Sequence, residues 1–345
     1  MALKRVTLKD IADACGLSRN TVSKVFNAHA SVPEATKKAV LKKAQELGYG
    51  RLPDSSSEDE PLIERSIALL AQHKLMGHNF GAYFITSFTD QICRSGYTVK
   101  IYEVSPEEIE KKRLPPHFDA GKTSGILCIE LFDKAYQNMV SSLGIPCIFV
   151  DGYVGSNHAL LNCDFISMEN YAAMFALMDK LFENGATRIG FVGDRDHCNS
   201  FFERWVGYAN SLMARALKYD DSISILDADS ASYGDGAWYV DKLRKMPFIP
   251  DAFVCANDYI AIHLMAALKK LGKRIPQDVM VTGFDCSPDA ALVEPSLTTV
   301  SIKTAEIGRL SADVLDNRIR YPERPFRRVS VLSTPVFAES TDRKK

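Results

Sequence analysis

Arg19, Asn20 and Lys24 fall within six residues of one another near the start of the chain. Arginine and lysine can donate to guanine O6 and N7, and asparagine can pair both ways with an adenine edge. Around them Thr21, Ser23, Asn27 and His29 carry groups suited to phosphate oxygens, which fix register without reading sequence. This chemistry requires one exposed helical face that enters a wide groove of duplex DNA.

The surrounding pattern supplies such a face. Thr7 can cap a helix whose apolar stripe is Leu8, Ile11, Ala12 and Cys15, and Gly16 permits a tight turn. Ser18 can cap a second helix that buries Val22, Val25 and Phe26. Ser31-Val-Pro-Glu34 reads as a capping box for a third, with Val40, Ala44 and Leu47 inward and Gly48 as its end. Helix, glycine turn and capped helix describe a small all-α helix-turn-helix domain over 1–50, its second helix the reader. Thr7 and Ser18 join the DNA-facing set.

Charge is distributed accordingly. Residues 1–51 hold ten Lys/Arg against four Asp/Glu, whereas the rest holds 32 basic and 39 acidic residues within a net charge of -1. A basic head on an acidic body suits a chain of which only the head meets a polyanion. Residues 51–63 include Pro53-Asp-Ser-Ser-Ser-Glu-Asp-Glu-Pro61, too polar to bury a core, and read as an acidic linker.

From Ser66 onward, short β-branched runs alternate with amphipathic stretches. Expected strands are 66–71, 97–103, 125–131, 147–151, 188–193, 223–226, 252–256, 279–284 and 298–302. Expected helices are 80–94, 169–184, 202–218, 259–271 and 304–317. This alternation predicts parallel sheets covered on both faces. There are too many strands for one comfortable sheet, so two lobes with a ligand cleft beyond the strand ends are expected.

Several classes find no support. No apolar run reaches the roughly 20 residues needed to span a bilayer, and no h-region follows the N-terminal basic residues, so a cytoplasmic protein is expected. Eight scattered cysteines without a CxxC pair read as reduced, buried thiols. There is no GxGxxG after a strand, no Walker A and no GxSxG, and adjacent His197 and Cys198 are poor geometry for one ion. No catalytic residue, metal ligand or cofactor is nominated. A transport-type solute-binding protein is the rival reading of the body, and a regulator answering to a partner protein is the rival reading of the whole.

Val6-Thr-Leu-Lys-Asp-Ile-Ala-Asp-Ala-Cys-Gly-Leu-Ser-Arg-Asn-Thr-Val-Ser-Lys-Val-Phe-Asn27 resembles the head of the LacI/GalR family of bacterial transcription regulators. The resemblance continues through Gly144-Ile-Pro-Cys-Ile-Phe-Val-Asp151, Gly185–Gly193, Arg204-Trp-Val-Gly-Tyr208, Pro250–Asp258, Gly272–Asp285 and Pro295–Val300. It implies a repressor that binds a near-palindromic operator as a homodimer, with Arg19, Asn20 and Lys24 at the base-reading positions. It also implies a two-lobed periplasmic-binding-protein-like effector and dimerisation domain over 64–340. The N-lobe is expected at 64–161 and 291–324, the C-lobe at 162–290 and 325–340.

By the same resemblance Arg204, Asp285, Asn257 and Asp151 face a small-molecule effector. A planar fork of donors beside a carboxylate suits a sugar or similar polyol. Phe80, Phe201 and Tyr233 are candidates to stack on a ring. One segment departs from the family pattern. After Gly48-Tyr49 there is no leucine between Leu52 and Leu62, and acidic residues fill the stretch where a hinge helix would insert into the minor groove. An operator bent little, with loosely tethered heads, is therefore expected.

Overall fold

The computed structural model describes residues 8–26, 32–46, 65–72, 79–156, 161–228 and 232–343. The chain divides into two compact units, Met1–Ile63 and Glu64–Lys345. The first holds α1 (Leu8–Cys15), α2 (Arg19–Phe26) and α3 (Glu34–Glu46). Ile11, Ala12, Val22, Val25, Val32, Val40 and Ala44 form its core, so six of the stripe residues read from the sequence are buried, and Cys15 is half-buried against them. Gly16 takes φ +66° between α1 and α2, a left-handed conformation that costs a glycine little. Thr7, Asn27, His29, Ser31, Leu47, Gly48 and the linker 51–63 lie outside the described residues, as does the expectation of a missing hinge helix.

The second unit begins with β1 (Ser66–Ala71), α4 (Asn79–Arg94), β2 (Thr98–Glu103), α5 (Pro106–Lys111), β3 (Thr123–Ile129), α6 (Lys134–Ser141), β4 (Cys147–Val150) and β5 (Asp164–Met168). It continues with α7 (Tyr171–Glu183), β6 (Ile189–Val192), α8 (Asn199–Met213), α9 (Gly236–Lys245), β7 (Ala252–Cys255), α10 (Asp258–Lys270), β8 (Met280–Thr282), α11 (Pro288–Leu292) and β9 (Thr299–Ser301). It closes with α12 (Thr304–Arg320), β10 (Arg328–Val331) and β11 (Thr334–Val336).

Strands β10, β5, β4, β3, β1 and β2 form, in that order, a six-stranded parallel sheet, and β6, β7 and β8 a three-stranded parallel one. Among the described residues only β9 and β11 pair antiparallel. The expected strand at 223–226 is reduced to a bridge between Ile225 and Val192.

The sheets correct the expected lobe boundaries. Strands β5 and β10 belong to the first sheet, although 162–290 and 325–340 were assigned to the other lobe. Conversely, β9 leans on the second sheet, with Thr298 bridged to Thr282 and Ser301 to Asp285, although 291–324 was assigned to the first. The chain therefore crosses between lobes three times, after β5, after β9 and after β10. Pro295 and Pro322 mark turns near these crossings; backbone pairing, which a turn signal does not report, decides the lobe.

Two glycines permit the closest helix contacts. A Cβ on Gly207 of α8 would come 2.8 Å from Met174 Cβ on α7, and one on Gly308 of α12 would come 2.7 Å from the Phe84 carbonyl of α4. A buried ion pair anchors the edge of the first sheet. Arg318 of α12 donates to Asp164 of β5 at 2.8 Å and to the carbonyls of Pro322, Arg324 and Pro325, fixing the chain's return into β10.

Candidate functional site

In the first unit Ser18 acts as the N-cap of α2, its Oγ accepting from the Thr21 N–H at 3.0 Å and lying 2.8 Å from the Thr21 hydroxyl. With Val22 and Val25 inward, Arg19 and Lys24 are exposed and Thr21 and Ser23 half-buried. The cap satisfies an orphan amide and fixes where α2 begins, and hence which residues lie outward. Asn20 lies on α2, but its side chain is outside the described residues.

In the second unit the strand ends converge on Arg204 of α8, which is 2 % exposed. Its Nε donates to Asn170 Oδ1 at 2.9 Å and its Nη1 to the Ala256 carbonyl at 2.7 Å. Its Nη2 lies 3.2 Å from Asp285 Oδ1, and the guanidinium carbon stacks 3.8 Å from the centre of the Phe284 ring. The Phe201 ring lies 5.6 Å from the same guanidinium. A cation so held cannot swing out, and it orients the partly exposed Asp285 carboxylate as an acceptor. Burial raises the Asp285 carboxyl, opposed by Arg204 and reinforced by the charges of Asp151 and Glu130.

Asp151 follows β4 with φ 61°. Its Oδ1 accepts from Gly152 N–H at 2.8 Å and from Ser200 N–H at 3.2 Å, so it caps α8 of the second lobe from the first. The cap residue of α8, Cys198, makes no side-chain capping bond of its own. Burial is also the main cause that raises the Asp151 carboxyl, with Arg204 opposing.

Asn257 caps α10, its Oδ1 accepting from Ile260 N–H at 2.9 Å, and directly follows the Ala256 carbonyl that holds Arg204. The structure thus brings together Asp151, Phe201, Arg204, Asn257 and Asp285. Tyr233 stands in a different aromatic group. Its ring packs on Trp238 and Tyr239 and its hydroxyl donates to the Asp227 carbonyl, which gives it a core-packing role. The Phe80 side chain lies outside the described residues.

Three supporting residues escaped the sequence reading. Asn170 Nδ2 donates to Glu203 Oε2 at 2.8 Å, and Glu203 Oε1 accepts from Asn199 Nδ2 at 2.8 Å. Asn199 in turn accepts from Gly155 N–H at 3.2 Å. One polar chain therefore runs from the loop after β4 through Asn199, Glu203, Asn170 and Arg204 to Asp285. Nothing local to Asn170 says that its amide holds an arginine 34 positions on.

Asp258, buried at the start of α10, accepts from Thr299 Oγ1 at 2.5 Å and from Ser287 N–H at 2.7 Å, pinning the loop that carries Asp285. Burial, then the Asp285 charge, push its carboxyl up to about 7. Among the described residues no group of three or more His, Cys, Asp or Glu could hold a metal ion, and no helix is long and apolar enough to cross a membrane.

Residues 7–51 match the bacterial regulatory proteins of the lacI family, and residues 178–341 match a periplasmic binding protein-like domain. Among curated relatives, the HTH-type transcriptional regulator CelR of Thermobifida fusca is 27 % identical over 329 residues, 92 % of either chain. The HTH-type transcriptional regulator GalR of Streptococcus thermophilus is 26 % identical over 326 residues, 92 % of this chain and 94 % of its own. The fold is that of a solved complex of CelR with cellobiose, at TM-score 0.70 and 24 % identity, covering 97 % of this chain and 100 % of the other. A Lac repressor dimer bound to operator and the anti-inducer ONPF matches at TM-score 0.70 and 21 % identity, covering 98 % and 99 %. The chain thus carries a lacI-type DNA-binding head and a periplasmic binding protein-like domain, and over nine-tenths of its length it is similar to HTH-type transcriptional regulators.

Proposed function

We propose that the chain is a cytoplasmic repressor that binds a near-palindromic operator as a homodimer, one head per half-site, and that a sugar or sugar derivative in the cleft modulates binding. Residues 1–50 are the DNA-binding domain, 51–63 an acidic linker without an inserting hinge helix, and 64–340 the effector and dimerisation domain. Thr7, Ser18, Arg19, Asn20, Thr21, Ser23, Lys24, Asn27 and His29 face DNA. Asp151, Arg204, Asn257 and Asp285 hold the effector's polar groups, and Phe80 and Phe201 pack on its ring.

The observation that carries the effector reading is the Arg204–Asp285 arrangement. A buried guanidinium fixes a partly exposed acceptor carboxylate, and carboxylates accept hydroxyl hydrogens. A structure of the same fold solved with cellobiose favours the same class. Pairing of two copies is favoured by large apolar side chains left exposed, Tyr83 on α4 and Ile101 on the edge strand β2 among them.

The test is calorimetric titration of the full chain with neutral sugars, followed by operator binding with and without the saturating compound. One sugar is expected to saturate and to shift operator affinity. Intact operator binding with no saturation by any sugar or other metabolite would favour the rival regulator that answers to a protein.

A further inference from the structure

The loop between β8 and α11 holds Asp285 in an uncommon backbone. Asp285 takes φ 102° and Cys286 φ 54°, two left-handed residues in succession with no glycine between them. Such residues persist only where their surroundings over-determine them. Gly283 N–H donates to the Thr298 carbonyl at 2.9 Å and Asp285 N–H to the Val300 carbonyl of β9 at 3.0 Å. Cys286 N–H donates to Thr299 Oγ1 at 3.1 Å, and Ser287 N–H to Asp258 Oδ2 at 2.7 Å. Thr299 Oγ1 in turn donates to Asp258 Oδ1 at 2.5 Å. Asp258 N–H closes the ring on the Phe284 carbonyl at 2.8 Å. Asp258 and Thr299 are each 1 % exposed, so water does not stand in for these bonds.

We propose that Asp258 and Thr299 are positioning residues of the effector site: together they hold the Asp285 loop in its left-handed form and tie it to the crossing that β9 makes into the first lobe. The inference rests on the reading of Asp285 as an effector contact. Thr299 is the pivot, because one hydroxyl both accepts from the loop and donates to α10, as a hydroxyl can. Asp258 has two oxygens, one for Thr299 and one for the Ser287 amide. It directly follows Asn257, so a single residue joins the two effector contacts Asn257 and Asp285. Gly283 leaves the room for it: a Cβ there would stand 2.3 Å from Asp258 Oδ1.

The same bonds reach the other lobe. β9 leads through Ile302 and Lys303 into α12, which is fastened to the first sheet by the Arg318–Asp164 ion pair. Asp285 is bonded along its backbone to Val300 and bridged to Ser301, the segment by which one lobe becomes the other. An effector that holds Asp285 therefore holds this segment too. It binds one disposition of the lobes better than another, and only such a difference can shift their equilibrium.

The test is hydrogen exchange of the full chain, read first without ligand at the amides of residues 283–287. Thr299→Val removes the hydroxyl at nearly the same shape. It is expected to speed exchange of the Cys286 and Ser287 amides about five- to tenfold, the loss of roughly one net hydrogen bond. Amides of β1 and β3 are expected to stay within about twofold. Thr299→Ser is expected to restore the loop to within about threefold of the parent. Gly283→Ala, which displaces the Asp258 carboxylate from the other side, is expected to speed the same two amides. The neutral sugar that saturates the parent in calorimetry is expected to bind Thr299→Val about five- to tenfold more weakly and Thr299→Ser within about twofold of the parent. In the parent that sugar is expected to slow exchange at 302–304, beyond the crossing, as well as in the loop; in Thr299→Val it slows the loop alone. The proposal is overturned if Thr299→Val leaves the loop amides at parent rates, if it speeds the whole chain alike, if Thr299→Ser does not restore them, or if sugar affinity is the same in parent and Thr299→Val. Failure of every sugar to saturate the parent would overturn the effector reading instead, while the exchange rates would still decide whether the pair holds the loop.

Discussion

The two arginines proposed to recognise DNA and effector, Arg19 and Arg204, are held in opposite ways. Arg19 is exposed on α2, a helix whose start is set by the Ser18 cap. Arg204 is buried, and each of its three nitrogens meets a partner within its own lobe. The difference follows from the ligand. A polyanion is met by charges that stay hydrated until contact and release counterions on binding. A small polar molecule needs acceptors and donors already fixed, because it has few groups with which to compensate their ordering.

Arg204→Ala should have the largest effect on stability. It strands the Asn170 amide oxygen and the Ala256 carbonyl and leaves Asp285 unbalanced. We expect a loss of about 2–4 kcal/mol, lowered from the range for fully buried pairs because Asp285 is partly exposed. Urea unfolding measures it, and a loss under 0.5 kcal/mol would remove the contrast between the two arginines. Effector response should disappear in the same variant, while DNA binding by the folded protein remains.

Asp258→Asn should change the pH dependence. The unfolded carboxyl titrates near 3.9, and the folded one is pushed up to about 7. Between those values the unfolded chain has lost a proton that the folded chain keeps. The stability that depends on this proton is therefore full below the lower value and is lost as pH rises toward the upper one. Relative to the Asn variant, the parent should lose about 2 kcal/mol between pH 5.5 and 7. Unfolding curves at both pH values, parallel for the two proteins, would contradict burial as the cause.

Arg19→Ala should leave stability within about 0.5 kcal/mol, as expected for an exposed position. It should weaken operator binding by about 1–3 kcal/mol and relax preference at one base pair. A variant that loses affinity equally for all sequences would move Arg19 from the bases to the phosphates.

Local pattern made the head readable. Its stripes are short-range, and Val22, Val25, Val40 and Ala44 are buried as their spacing requires. In the body β1 was bounded at Ser66–Ala71 from its apolar run, and α12 began at the expected Thr304. What escaped depends on pairing. β10, Arg-Val-Ser-Val, is an edge strand half in solvent, and β5 gives no boundary that says which sheet it joins. Asn170, Glu203 and Asn199 form their chain only after α7 and α8 have packed, and no spacing rule reports that. Tyr233 was misplaced for the same reason, since an aromatic in a loop reads alike whether it meets a ligand or Trp238.

Selection of bound sequences from random duplexes by the full chain tests the central claim most directly. At low salt we expect enrichment of one motif with two-fold symmetry, with affinity falling as salt rises by a slope near −0.9 per phosphate neutralised. Enrichment of no sequence, with every neutral sugar tried, would contradict a head that reads DNA through Arg19, Asn20 and Lys24.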